Sequence, residues 1–217
     1  MKTFAALFFA MYTLTLVAAE TPSGAVLYES NFEKAEPEKL PDEFMVLEGG
    51  FIVKQEGTNK FLELPGAPLD TFGLLFGPTE TENVSVSGRI FGTGKGRRFP
   101  TFAVGLSGAG GYKLQVSPGK KEIELIKGDA EVLAHAPYKW ESRSWTLLKL
   151  QLRKLSDAEW ILEGKVWKEG ALEPQRWTIS HKEKTVPVPG RAAVWGMPYA
   201  GTPIQFDDLK VTRVTAP

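Results

Sequence analysis

Short runs in which apolar and polar side chains alternate fill this chain, and glycine and proline, 22 and 15 of its 217 residues, keep interrupting them. Alternation with a period of two fits a strand with one buried face, whereas a helix needs a period near 3.6. The pattern predicts strands over Val26–Phe32, Phe51–Gln55, Lys60–Leu64, Phe72–Phe76, Val84–Phe91, Thr101–Leu106 and Tyr112–Val116. It continues over Glu122–Lys127, Glu131–Ala134, Trp145–Arg153, Trp160–Trp167, Trp177–His181, Arg191–Gly196 and Ile204–Arg213. Many strands with closely spaced turn signals imply an all-β fold, an antiparallel β-sandwich. Only Glu33–Leu40 has room for a helical turn, and Pro37 limits it.

The first residues obey a different rule. Lys2 precedes the apolar stretch from Phe4 to Val17, and Val17-Ala18-Ala19 offers small side chains to a peptidase. Residues 1–19 therefore read as a secretory signal peptide, with 20–217 as a single mature domain. The chain contains no cysteine, which excludes disulfides, thiolate metal sites, a cysteine nucleophile and a lipid anchor on cysteine. The expected location is secreted or periplasmic. Lys and Arg number 26 against 26 Asp and Glu, so losing Lys2 gives 25 − 26 = −1. A neutral chain has no long-range pull on nucleic acid or on anionic membranes, and neither is expected as a partner. The basic run Lys95-Gly96-Arg97-Arg98 reads as an exposed loop tip. Asn83-Val84-Ser85 is a formal glycosylation sequon that places Asn83 at the surface.

Two hairpins can be registered by complementarity. Around Lys154–Ala158, setting Arg153 against Glu159 pairs Lys149 with Glu163, Leu147 with Lys165 and Trp145 with Trp167. The other face then carries Leu152 on Trp160 and Leu150 on Leu162. Around Ser117-Pro118-Gly119-Lys120, Leu114 meets Ile123 and Tyr112 meets Leu125 on the buried side. Lys113 then faces Glu124 and Gln115 faces Glu122 on the wet side. In the last strand, Phe206 has one parity while Leu209 and Val211 have the other. An extra residue, a bulge at Asp207-Asp208, reconciles them.

Four segments carry a family likeness: Tyr28-Glu29-Ser30-Asn31-Phe32, Trp145–Leu150, Gly190–Gly196 and Ile204–Val211. Together they resemble the concanavalin A-like lectin/glucanase superfamily, in particular laminin-G-like jelly rolls. There is also a distant likeness to exported 3-keto-disaccharide hydrolase-type domains. The resemblance implies a jelly roll and, for function, an exported module that binds a glycan or polysaccharide without catalysis. It leaves room for a glycoside hydrolase or related sugar-cleaving enzyme, and for a structural or adhesion module with a protein partner.

Three constellations bear on that choice. Trp145, Trp167, Trp195 and Tyr199 are candidate sugar platforms, because an aromatic face accepts the apolar face of a pyranose without stripping water from its hydroxyls. Glu122 and Glu124 point the same way from one strand, about 6.6–7 Å apart along the chain, and would be the acid/base and nucleophile pair of a hydrolase. Their setting, Glu122-Ile123-Glu124-Leu125, lacks the third carboxylate of the laminarinase strand motif, which favours a surface role. Asp207 and Asp208, with Glu29 or Asn31, offer hard oxygen donors suited to a structural calcium. His135 and His181 match no zinc spacing, and no Gly-x-Ser-x-Gly occurs.

Overall fold

Fifteen strands form among residues 24–66, 70–199 and 201–215, the part of the chain that the computed structural model describes. The proposed signal peptide lies outside the described residues. In chain order the strands are β1 (Val26–Ser30), β2 (Met45–Glu48), β3 (Ile52–Glu56), β4 (Asn59–Leu64), β5 (Phe72–Glu80), β6 (Val84–Gly92), β7 (Thr101–Leu106) and β8 (Tyr112–Ser117). The remainder are β9 (Glu122–Lys127), β10 (Glu131–Pro137), β11 (Ser144–Ser156), β12 (Glu159–Lys168), β13 (Ile179–Glu183), β14 (Gly190–Met197) and β15 (Ile204–Arg213). The first sheet runs β13-β12-β11-β6-β15-β4-β3, with β1 also paired to β15; the second runs β10-β9-β8-β7-β14-β5-β2. Every pairing is antiparallel.

The inner faces of the two sheets share one core, which includes Leu148, Leu150, Leu152 and Leu162 from the first and Leu74, Val104, Leu114 and Val194 from the second. Trp160 is 3% exposed and joins them. Such interdigitation is what a sandwich requires. The predicted strands are all present, and β2 was not foreseen. All four of its residues are exposed, so no alternation announces it. Glu33–Leu40 forms turns rather than a helix.

Both hairpin registers differ from expectation by two residues. Leu152 pairs with Leu162, Gln151 with Glu163, Lys149 with Lys165 and Leu147 with Trp167. Here β11 runs on to Ser156 and turns through Asp157-Ala158, with a bulge between Lys154 and Ser156. In the other hairpin Leu114 pairs with Leu125, Gln115 with Glu124 and Lys113 with Ile126. That turn holds four residues, 118–121, because Lys121 takes a left-handed conformation at φ 62°. A shift of two keeps every side chain on its expected face, so the core was right while its partners were not. The like-charged neighbours Lys149 and Lys165 are reconciled by Glu173, whose Oε1 stands 3.1 and 2.8 Å from their ammonium groups.

The bulge in β15 lies where parity places it. Register shifts between Asp207 and Lys210, and Asp208 has φ 49°. Phe206, Leu209 and Val211 are all buried as a result. A Cβ on Gly88 would lie 2.8 Å from Leu209 Cδ2, so the glycine leaves room for the re-aimed leucine. Asn83 is not a free surface residue: its Oδ1 accepts a hydrogen bond from the Lys154 amide at 3.0 Å.

Candidate functional site

Register places small residues side by side on the outer face of the second sheet. Trp195 on β14 is flanked by Gly73 on β5 and Ala103 on β7, and Ala193 is flanked by Leu75 and Gly105. A Cβ on Gly73 would come within 2.4 Å of the Trp195 ring, and one on Gly105 within 3.0 Å of its Nε1. The indole therefore lies across bare backbone and is 9% exposed. Lys113 on β8, paired with Gly105, reaches over it and sets its ammonium 4.0 Å from the ring centroid. A cation over an indole face is attracted by the ring quadrupole.

Beyond Lys113, β8 and β9 supply a polar floor. Glu124 is 2% exposed. Its carboxylate accepts hydrogen bonds from Ser117 Oγ, from Lys120 Nζ at 2.6 Å and from Gln115 Nε2 at 3.4 Å. Burial works against ionisation of Glu124, but these donors outweigh it and hold the carboxyl below its usual range. For Lys113 burial is dominant and draws the ammonium below the ordinary lysine value, with Asp129 opposing.

This floor belongs to a groove of about 450 Å3, within the range of small-ligand sites. Its rim includes Thr71, Phe99, Met197 and Tyr199, with Arg97 from the basic loop and Asp129 from the β9–β10 turn. Tyr199 is 40% exposed and Phe99 36%, so two rings face solvent over a hydrogen-bonded bed. On its other side Phe99 walls an apolar cleft with Tyr138 and Trp140.

The expected platforms thus separate. Tyr199 lines the groove, and Trp195 lies beneath Lys113 as part of its foundation. Trp145 and Trp167 sit on the outer face of the first sheet, where Trp167 pairs with Leu147 instead of Trp145. Trp145 packs on Phe91 at 5.6 Å and under the Arg89 guanidinium at 4.6 Å, in a hollow lined also by Asn59, Glu169 and Gln205. Of the two carboxylates, Glu124 is in the groove, while Glu122 stands 3.2 Å from His135 Nδ1. Lys113 and Gln115 were missed as site residues because they read as ordinary wet-face partners, and Ser117 because it read as part of the turn. The run of Gly73, Ala103, Gly105 and Ala193 was the available signal: strands that expose so little side chain on one face leave space there.

The four proposed calcium donors do not fit the ion. Asp207 Oδ2 accepts from Arg89 Nη2 at 2.6 Å, and Asp208 Oδ2 is 2.9 Å from Arg89 Nε. Glu29 pairs with Lys210 at 3.1 Å, and Asn31 Oδ1 accepts the Glu33 amide at 3.3 Å. The protein's own cations take the carboxylates. Among the described residues no three His, Cys, Asp or Glu side chains gather as a metal site, and no helix is long and apolar enough to cross a membrane.

No family model and no curated protein matches the chain in sequence. Solved structures do match in shape. A galectin-like protein of unknown function from Bacillus subtilis aligns with TM-score 0.61 at 12% identity, over 90% of this chain and 99% of that one. The carbohydrate-binding module CBM66 from Bacillus subtilis aligns with TM-score 0.55 at 12% identity, over 78% and 95%. The exoplasmic/lumenal domain of VIP36, solved with Ca2+ and Man2, aligns with TM-score 0.58 at 10% identity, over 87% of each. The fold of this chain is an antiparallel β-sandwich similar to these structures.

Proposed function

We propose that the chain is an exported, non-catalytic glycan-binding module whose sugar lies in the groove on the outer face of the second sheet. The observation that carries this reading is the groove's construction: Tyr199 and Phe99 at the rim over Gln115, Ser117, Lys113 and Glu124. Rings supply stacking surface, and polar groups already held by one another supply hydrogen bonds without much reordering. Solved neighbours that are themselves a carbohydrate-binding module and a domain with bound Man2 support the same class. The signal-like residues 1–19 support export, and 20–217 is then the working module.

The carboxylates fit binding better than hydrolysis. A glycosidase needs two carboxylates flanking one sugar bond, whereas only Glu124 lines the groove and Glu122 stands beside His135. Glycan-array screening followed by calorimetry tests the proposal. Tyr199→Ala should weaken the best ligand by about tenfold, near 1.4 kcal/mol, and Trp145→Ala should leave it within about twofold. Equal losses in both variants, or binding unchanged by Tyr199→Ala, would move the site elsewhere.

A further inference from the structure

The inference drawn next rests on the glycan-binding reading and narrows its ligand. We propose that the groove selects sugars bearing an anionic group, a ring carboxylate or a sulfate ester, and that Lys113 recognises that group.

Among the described residues, the other partly buried cations all have acceptors: Lys60 and Arg191 hold backbone carbonyls, and the rest have carboxylates. Arg89 has Asp207, Asp208 and Glu169; Lys127 has Glu183; Arg153 has Glu163; and Lys165 has Glu173. Lys113 is buried at least as deeply, with 6% of its surface exposed. Yet among the described residues it has neither an ion pair nor a hydrogen-bond acceptor, only the Trp195 ring beneath it. Leaving a largely buried lysine without an anionic partner is costly. The lowered pKa of Lys113 expresses the same cost. A fold that needed only to fill this position could have used a methionine.

The surroundings show that the placement is built. Gly73 and Gly105 keep the backbone bare so that the indole lies flat, and the indole supports the ammonium at the groove floor. The Trp195 Nε1–H beside it also has no acceptor among the described residues. Trp195 itself does not line the groove, so Lys113 is the donor that faces a ligand there. The rest of its charge is compatible with an anion. Lys120 and Glu124 neutralise each other at 2.6 Å, leaving Arg97 and Lys113 against the exposed Asp129. An anionic oxygen would supply the acceptor that Lys113 lacks, and charge-assisted bonds of this type are the stronger kind. Because the chain is neutral overall, the preference is a local recognition effect and not a long-range attraction to polyanions.

Affinity electrophoresis and calorimetry on the full chain would test this with polygalacturonate, a sulfated galactan, laminarin and dextran. Binding to one or both acidic polymers at least about tenfold tighter than to the neutral pair is expected. The polygalacturonate and galactan arms distinguish a carboxylate from a sulfate. Lys113→Met should lose about tenfold on the acidic ligand and less than about twofold on any neutral one, while Lys113→Arg retains most of the preference. Raising salt to about 0.5 M should weaken the acidic complex of the wild type selectively, a readout that needs no variant. Equal binding of neutral and acidic polymers, or an acidic preference untouched in Lys113→Met, overturns the role of Lys113 and leaves the glycan reading standing. Failure to bind any polysaccharide overturns both.

Discussion

The outer faces of the two sheets carry similar residues and treat them oppositely. On the first, each buried charge is answered. Arg89 holds Asp207, Asp208 and Glu169, and Glu163 accepts from Gln151 at 2.7 Å and from Arg153 Nη2 at 2.8 Å. Segment 169–178 crosses that face, with Glu173 between Lys149 and Lys165 and Trp177 under Lys165 at 4.6 Å. On the second, Lys113 has no ion pair among the described residues and faces an open groove, with the Trp195 ring beneath it. A tryptophan beside a basic residue thus means two things here. With carboxylates attached it is structure; without them it is an invitation to a ligand.

The sharpest way to break the comparison is to swap a cation for methionine on each face. Arg89→Met leaves Asp207, 1% exposed, as an unpaired buried carboxylate and should cost about 3 kcal/mol in urea denaturation. A cost below about 1 kcal/mol would show that the first face is no more closed than the second.

Acid probes the closed kind of network at the sandwich edge. Glu183 on β13 accepts from Lys127 on β9 at 2.7 Å and from the Tyr112 hydroxyl on β8 at 3.2 Å, tying one sheet to the other. Burial opposes its ionisation, but Lys127 and the Thr185 amide prevail and hold its pKa at about 2, against 4.5 ordinarily. The folded-state value is depressed, so the stabilisation is complete above about pH 4.5 and disappears as pH falls towards 2. About 2–3 kcal/mol should be lost over that window, and Glu183→Gln should flatten the profile. A wild-type profile already flat there would remove this network from the closed class.

The smallest expected effect is the most telling. Lys113→Met should change stability by less than about 1 kcal/mol, or raise it, because it removes an unpaired ammonium from a buried place. A loss like that of Arg89→Met would mean that Lys113 has a structural partner after all.

The sequence made the layers legible and the pairings less so. Parity alone reported the β15 bulge, because Phe206 and Leu209 cannot share a face without an inserted residue. Register depends on turns, and neither the left-handed Lys121 nor the bulge near Leu155 leaves a hydrophobic signature. Met45–Glu48 is an exposed edge, so alternation had nothing to mark. For the site, Tyr199 was visible as an aromatic in a loop. Lys113 was assigned to Glu124 by a register two residues off, which hid its isolation.

The pairing of β1 with β15 has a mechanical consequence. Val26 lies against Thr212, and the Gly24 amide donates to the Arg213 carbonyl at 2.7 Å, so these two ends of the described chain share one corner. Tension applied there would load the ladder one rung at a time, at right angles to the strands, instead of shearing all its bonds together. As a link under load the module should peel from this corner at low force while the far side of the sandwich, where the groove floor lies, stays intact.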